Sequence, residues 1–420
     1  MDVYLLPAVV GGGLGDIEET LAAGRELARA GFRLRMYRRP GRPLPRSVDG
    51  PWDWPPVDRV DRIEPRNATA LTVTPAWGIS AAPSRPGAYG RGGPWEVEAS
   101  DIEGAYAPDR VVHVSLEEFA RTLSNTRENR ERLREGGVSA RALTSRLRSA
   151  RTSGEVETFR SAFRKFRAFD RPNVLHLFAT FRRDAGFARE FPEAVQVGPL
   201  WPHRYPARGK GAAVRRSPAW VWYASPASAE RVAPAVLAGL ALARPIPHLW
   251  ILSPRPWASS FPADRATVVA APVSPEEWSE RFAGASLRIV TGSRTLLEAM
   301  ELGGPFLYFN GILGRAGHPR RHRPEKLLAL LDLARRSGVS PRLRIDLTDF
   351  ARGRRVRAVV ARAASRSGPW SEFPRQWRPG PFVPPFDDAG RLIVRVARRL
   401  GRSGGPAPEL VARVRSGRAP

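Results

Sequence analysis

The chain has 420 residues, 42% of them hydrophobic and 26% charged, a composition that excludes a disordered protein. It contains no cysteine, which excludes disulfide bonds, cysteine-ligated zinc, iron–sulfur clusters and a thiol nucleophile. Lys and Arg number 68 against 41 Asp and Glu, and the resulting net charge of +27 is typical of proteins that bind nucleic acids or anionic surfaces.

The first 37 residues predict the beginning of a parallel α/β sheet. An apolar run at residues 3–10 predicts a strand, and the glycine-rich stretch at 11–16 predicts a loop. Apolar residues then recur at helical spacing up to Gly31, which is expected to end a helix. A second strand is predicted at residues 32–37.

The next 160 residues alternate less regularly. Residues 40–110 are rich in Pro, Trp and Gly and predict loops with short embedded strands. Residues 115–170 predict helices, beginning with a capping box formed by Ser115 and Glu118. Strands at 173–178 and 194–197, with a helix at 182–190, are predicted to complete this part of the chain.

The second half alternates strands and helices clearly, which predicts a doubly wound parallel sheet. The strands are predicted at 220–223, 248–252, 267–270, 287–290 and 306–309, and the helices at 227–242, 276–282, 295–302 and 326–337.

The boundary between two domains is predicted in residues 199–217, which are rich in Pro, Gly and Arg and have no apolar periodicity. We therefore expect an N-terminal domain at 1–200 and a C-terminal domain at 218–375. A tail at 376–420 is expected to contain a basic amphipathic helix at 391–399. Because the sequence has neither an apolar run of about 18 residues nor a signal-peptide pattern, we expect a cytoplasmic protein.

Four segments resemble the two-domain GT-B glycosyltransferases, a group that includes the UDP-glycosyltransferases and the lipid-linked GlcNAc transferase of peptidoglycan synthesis. The first segment is residues 12–17 (GGLGDI) with the helix after it. Its glycines let the backbone approach a ligand, and Gly13 is a donor-binding candidate. The resemblance implies a catalytic base after this loop, where many relatives have His and this chain has Asp16. The alternative for Asp16 is an ordinary helix cap. His113, at the end of a predicted strand, is the other candidate base, with a purely structural role as its alternative.

The second segment, residues 192–200 (PEAVQVGPL), resembles the sequence that closes the first domain of UDP-glycosyltransferases. The third, residues 267–310, resembles their nucleotide-binding region and includes Ser274. In it, a loop followed by a helix start suits a diphosphate, and a carboxylate one turn further, Glu298, can accept two hydrogen bonds from a ribose diol. The alternative for Glu298 is a surface residue that stabilises the helix start. The diphosphate candidates are Gly292, Ser293, Arg294 and Thr295.

The fourth segment, residues 318–326, is in the place of the family's donor-sugar motif, but the expected Asp-Gln pair is absent. His322 and Arg323 are candidates there to bind a diphosphate, or belong to a solvated basic loop. Ser225 follows a predicted strand and either contacts phosphate or caps a helix.

The resemblance implies an α/β protein with two Rossmann-like doubly wound domains facing a cleft. It implies a metal-independent glycosyltransferase of the hexosyltransferase type that moves a sugar from a nucleotide-sugar, expected to be a UDP-sugar, to a hydroxyl, with a lipid-linked acceptor as one option. No cofactor is expected. Basic helices at 120–170 and 391–399 suggest peripheral contact with the inner face of the membrane.

Two alternatives remain open. One is a catalytically degenerate GT-B protein that binds a nucleotide or a protein partner, which the missing Asp-Gln pair favours. The other is a nucleic-acid-binding protein, which the charge favours. The chain shows no helix-turn-helix, RNP or zinc pattern, and only Lys165, Lys210 and Lys326 of its cations are lysines, so the arginine excess partly reflects compositional bias.

Overall fold

A computed structural model describes most of the chain. It covers residues 1–7, 15–37, 54–64, 67–75, 101–118, 171–181, 194–202, 217–223, 232–252, 264–269, 273–309, 325–366, 368–371, 373, 388–403 and 405–420. The chain forms two compact units, one of residues 1–200 with 381–420 and the other of residues 201–380.

The first unit is built on a seven-stranded sheet in which every pair of neighbouring strands is parallel. Its order is β3-β2-β1-β4-β5-β6-β7, so the direction of winding reverses between β1 and β4, as in a Rossmann-like sheet. The helix α1 (Gly15–Arg29) follows β1 and ends before Gly31, whose φ of 87° suits glycine. The strands are β1 (Asp2–Leu5), β2 (Leu34–Tyr37), β3 (Val57–Val60), β4 (Ala70–Pro75), β5 (Val111–Glu118), β6 (Val174–Ala179) and β7 (Ala194–Val197).

The second unit is built on a five-stranded parallel sheet of order β10-β9-β8-β11-β12, which reverses between β8 and β11. Its strands are β8 (Ser217–Tyr223), β9 (Leu249–Leu252), β10 (Ala266–Val269), β11 (Ala285–Val290) and β12 (Phe306–Tyr308). Its helices are α2 (Ala233–Leu240), α3 (Pro275–Gly284), α4 (Ser293–Leu302), α5 (Glu325–Arg336), α6 (Pro341–Ala351) and α7 (Val356–Ser365). The α/β class with two doubly wound sheets, predicted from the sequence, is confirmed.

Two helices at the end of the chain, α8 (Ala389–Ser403) and α9 (Ala407–Arg415), belong to the first unit. The apolar face of α8 is fully buried in the core formed with α1 and the strands. The Arg415 side chain on α9 donates a hydrogen bond of 2.7 Å to the Val174 carbonyl of β6. From residue 388 onward, the predicted tail at 376–420 is therefore part of the first unit. Because the apolar face of α8 is buried there, it is unavailable for insertion into a bilayer.

The predicted capping box at Ser115 and Glu118 is wrong, because both residues lie in β5, where Ser115 pairs with β4 and β6 and Glu118 pairs with β6. The β-branched run of Val residues before them continues the strand. The helices predicted at 119–170 and at 182–190 lie outside the described residues. Across the part of the chain that the structure describes, no helix is both long and apolar enough to span a membrane.

The junction of α1 and α8 gives a prediction about pH and stability. Asp388 accepts a hydrogen bond of 3.1 Å from the Arg391 N–H at the start of α8. Burial, together with the nearby Glu26 carboxylate, raises the pKa of Asp388 to about 6. The protonated form therefore stabilises the fold below the ordinary pKa of 3.8, and this contribution is lost as the pH rises through about 6.

We expect Asp388→Asn to raise the free energy of unfolding at pH 8 by at most about 3 kcal/mol, because Asn still caps the helix but never ionises. The gain should vanish below pH 4. Thermal unfolding across pH 4–8 measures it, with Asp61→Asn at an exposed position as the control. A variant that is less stable than the wild type at pH 8 would contradict the assignment.

Candidate functional site

The carboxyl ends of β8 and β11 meet at the point where the second sheet reverses its winding. In open α/β sheets, ligands bind outside the carboxyl ends of the strands at this point. The Thr291 hydroxyl directly after β11 donates a hydrogen bond of 2.8 Å to the Tyr223 carbonyl at the end of β8. This bond links the two strands and fixes the loop that leads into α4.

The helix α4 begins at this edge. Gly292 is its N-cap in an extended conformation (φ −85°, ψ 163°), and the Thr295 hydroxyl donates to the Gly292 carbonyl at 3.2 Å. Arg294 in the first turn is only 4% exposed. The first N–H groups of an α-helix have no partner within the helix and form the positive end of its dipole, so this end attracts anions.

Glu298 lies further along α4 and is 3% exposed, so the alternative that it is a surface residue is wrong. One of its oxygens accepts a hydrogen bond of 3.0 Å from the indole N–H of Trp278 on α3. Arg294 and Glu298 are four residues apart and therefore share a face of α4. The structure thus brings a buried cation and a buried carboxylate together on the helix that begins at the sheet edge.

Arg288 on β11 connects the other ends of α3 and α4. Its guanidinium is fully buried and donates to the carbonyls of Phe282 at 2.6 Å, Ala283 at 2.9 Å and Gly303 at 3.2 Å. Those carbonyls belong to the last turn of α3 and the residue after α4. One side chain therefore fixes both helices that carry the candidate residues.

Ser274 caps α3, where its hydroxyl accepts a hydrogen bond of 3.1 Å from the Glu277 N–H. Its predicted donor contact is untested, and any such contact would have to be compatible with the cap. The side chains of Asp16 and Ser293 are not among the described ones, although the residues lie in the first turns of α1 and α4. Four candidates lie outside the described residues: Gly13, Ser225, His322 and Arg323.

The structure places His113 away from the edge where a base would be expected. It is the third residue of β5, so it lies near the amino end of its strand, whereas ligands bind at the carboxyl ends. Its ring is fully buried between the Thr72 hydroxyl at 2.7 Å and the Glu103 carboxylate at 3.0 Å. Burial lowers the pKa of His113. These contacts support the structural alternative, and we do not propose His113 as the base.

Sequence reasoning missed Trp278, Arg288 and Thr291. An arginine in the middle of an apolar strand was the available signal for Arg288, because such a charge needs several partners when it is buried. Among the described side chains, no group of three or more His, Asp and Glu is arranged to hold a metal ion.

No protein-family model and no curated protein matches the chain. Solved structures are similar to it. UGT2 of Phytolacca americana, complexed with UDP-2fluoro-glucose and pterostilbene, aligns over 99% of both chains at 10% identity and a TM-score of 0.46. Os79 from O. sativa, in complex with UDP, aligns over 99% of this chain and all of its own at 12% identity and a TM-score of 0.49. CalG4, the calicheamicin glycosyltransferase, covers 88% of this chain and 95% of its own at 16% identity and a TM-score of 0.40.

The chain is similar to glycosyltransferases. The group that the sequence resembles also consists of glycosyltransferases. At these TM-scores and identities the likeness carries no argument about activity, so the fold rests on the two parallel sheets and the site on the residues at the end of β11.

The cluster around His113 gives a prediction about stability. Burial alone would raise the pKa of Glu103, but hydrogen bonds from His113, Arg171 and Asn173 outweigh it and lower that pKa to about 2. The ionised Glu103 therefore stabilises the fold above its ordinary pKa of 4.5, and this contribution is lost as the pH falls through 2.

We expect Glu103→Gln to lower the free energy of unfolding by about 2 kcal/mol at pH 7, because Arg171 loses its charged partner. The difference should shrink as the pH falls below 4.5. Urea unfolding between pH 7 and pH 3 measures it, and the exposed Glu64→Gln serves as the control. Equal stability of Glu103→Gln and wild type at pH 7 would refute the role of this ion pair.

Proposed function

We propose that the protein is a glycosyltransferase that moves a hexose from a UDP-sugar to a hydroxyl acceptor. The observation that carries this proposal is the start of α4 at the winding reversal of the second sheet, with Arg294 and Glu298 buried on that one helix. A nucleoside diphosphate has an anionic part and a ribose diol. A helix start with a nearby cation suits the first, and a carboxylate suits the second.

In this proposal the diphosphate binds at the first turn of α4, near Gly292, Ser293 and Thr295. Glu298 accepts hydrogen bonds from the ribose hydroxyls. As the glycosidic bond breaks, negative charge grows on the leaving diphosphate, and preorganised N–H groups and cations stabilise it. We propose that Arg294, with His322 and Arg323, supplies the positive charge in place of a divalent ion.

The acceptor hydroxyl needs a base as it attacks the sugar carbon, and we propose Asp16 for this role. Its support is the position of α1, which is the first helix after β1, the strand at which the first sheet reverses its winding. A cap role for Asp16 is compatible with this, since a carboxylate can serve at a helix start and still accept a proton from a bound hydroxyl.

The proposal predicts that UDP stabilises the protein and that Glu298 is needed for it. We expect saturating UDP to raise the Tm of the wild type by several degrees. Glu298→Ala should remove most of this shift, because the ribose loses its acceptor. The measurement is thermal unfolding with and without UDP and UDP-sugars.

Glu280→Ala on α3 is the matched control, because Glu280 is an exposed glutamate outside the proposed contacts. Absence of a shift with UDP-, GDP- and dTDP-sugars would contradict the proposal. A UDP shift without sugar transfer to any hydroxyl would favour the degenerate alternative, a protein that binds the nucleotide only.

We also propose peripheral contact with anionic membranes, which would suit a lipid-linked acceptor on the cytoplasmic side. The support is a stripe of arginines on α8 at positions 391, 395, 398 and 402, which are spaced so that they share one helix face, in a helix with no acidic residue. Since the apolar face of α8 is buried, the contact would be electrostatic and without insertion.

This contact predicts that the protein sediments with vesicles containing acidic phospholipids at low salt and is released by about 0.3 M salt. Neutral phosphatidylcholine vesicles should bind none of it. Replacing Arg398 and Arg402 with Gln should weaken binding severalfold, since each basic residue near the surface contributes about 1 kcal/mol. Equal binding to both kinds of vesicle would overturn the proposal.

A further inference from the structure

We infer that Trp278 is a positioning residue of the nucleotide site, whose indole N–H orients the Glu298 carboxylate so that the site distinguishes ribose from deoxyribose. The inference rests on the proposed function, in which Glu298 binds the ribose. It adds a residue that the sequence patterns did not single out and that acts through Glu298 and not on the ligand.

The hydrogen bond between Trp278 and Glu298 can form in one direction only, from the indole N–H to the carboxylate. An indole N–H is only a donor and an ionised carboxylate only an acceptor, so the 3.0 Å contact defines where one Glu298 oxygen lies. Trp278 and Glu298 are 7% and 3% exposed. Hydrogen bonds to charged groups are about twice as strong as neutral ones, and removal of one partner in a buried pair costs the most.

The indole is itself held in place from two directions. The Tyr223 ring meets it edge-on with centroids 5.4 Å apart and an interplanar angle of 87°. The Phe282 ring stacks on it at 4.7 Å and 17°. Tyr223 ends β8, and its carbonyl receives the Thr291 hydroxyl, so the indole is tied to the same strand ends that start α4. The orientation of the carboxylate therefore follows the sheet edge.

A carboxylate that is held in one orientation distinguishes ribose from deoxyribose better than a mobile carboxylate does. Sites built to hydrogen-bond a hydroxyl reject an analogue without it, because their buried polar groups then lose a partner. If the carboxylate can rotate, it recovers part of that loss by turning to another partner. Because Trp278 holds one oxygen, the carboxylate cannot rotate to another partner. A nucleotide without the 2′-hydroxyl therefore loses the whole binding free energy of that hydrogen bond.

The test compares the affinities of UDP and 2′-deoxy-UDP by calorimetry. In the wild type, UDP should bind about tenfold more tightly. Trp278→Phe removes the N–H and keeps an aromatic ring against Tyr223 and Phe282, and it should bring the ratio of the two dissociation constants close to one. Trp278→Leu, which has no side-chain donor, provides a second version of the same loss if the first variant does not fold.

The matched control is Trp370→Phe, which removes the indole N–H that donates to Asp346 and leaves the bond between Trp278 and Glu298, and it should keep the tenfold ratio. In the wild-type chain, exchange of the Trp278 indole proton with solvent should be slowed more by UDP than by 2′-deoxy-UDP. A folded Trp278→Phe with an unchanged ratio, or equal slowing by both nucleotides, would overturn the inference and leave Trp278 a packing residue. A wild type that binds no UDP would instead refute the proposed function, so the two failures are distinguishable.

Discussion

The candidate site of the second unit depends on the hydrogen bonds that the Arg288 guanidinium donates. It lies inside the fold, and three backbone carbonyls from the ends of α3 and α4 accept its hydrogen bonds. Carbonyls at the end of a helix have no partner within it and form the negative end of the dipole, so a cation there is stabilising. Burial of an unpaired charge would cost free energy. The fold tolerates the buried Arg288 because its guanidinium N–H groups donate to three carbonyls. With the carboxyl ends of both helices fixed, Trp278 and Glu298 can meet between them.

Some of the arginines have a different role in the structure from the one that the net charge of the sequence suggests. A net charge of +27 suggests an anionic partner, yet several arginines serve inside the units. Arg362 on α7 donates at 3.0 and 2.6 Å to Asp346 on α6, which also accepts from the Trp370 indole. Arg415 donates to carbonyls of the first unit. Part of the positive excess therefore provides hydrogen-bond donors that tie helices to their neighbours. The arginine stripe on α8, in which Arg391, Arg398 and Arg402 are exposed, is a smaller basis for any anionic contact.

The alternation of apolar runs was enough to predict most strands of the second sheet, because buried parallel strands are apolar throughout. The strand predicted at 287–290 corresponds to β11, and the helix predicted at 276–282 corresponds to α3. Both predicted elements are shorter than the observed ones. The helices α6, α7 and α9 were missed, since their dense arginines obscure the apolar stripe that packs inward. Ser115 and Glu118 matched a local capping pattern, but strand pairing on both sides decides that segment.

The candidate site was predictable only in part. The turn into α4 could be located from its glycine and the apolar strand before it. The burial of Glu298 depends on Trp278, twenty residues away, and on an indole direction that no spacing encodes. For His113 the sequence left a catalytic and a structural role open for a related reason. The partners of its ring, Thr72 and Glu103, come from two other segments that only the folded chain brings together.

The return of α8 and α9 to the first unit has a consequence for biosynthesis. The core of that unit contains side chains from both ends of the chain, including Leu392, Ile393 and Val396 with Val3 and Leu27. At about 5–20 residues per second, a ribosome needs on the order of 10–40 s to make the intervening 180 or so residues. During that time the nascent first sheet exposes the apolar surface that α8 later covers. The second unit, contiguous in sequence, can complete its core first, so the order of folding is expected to run against the order of synthesis.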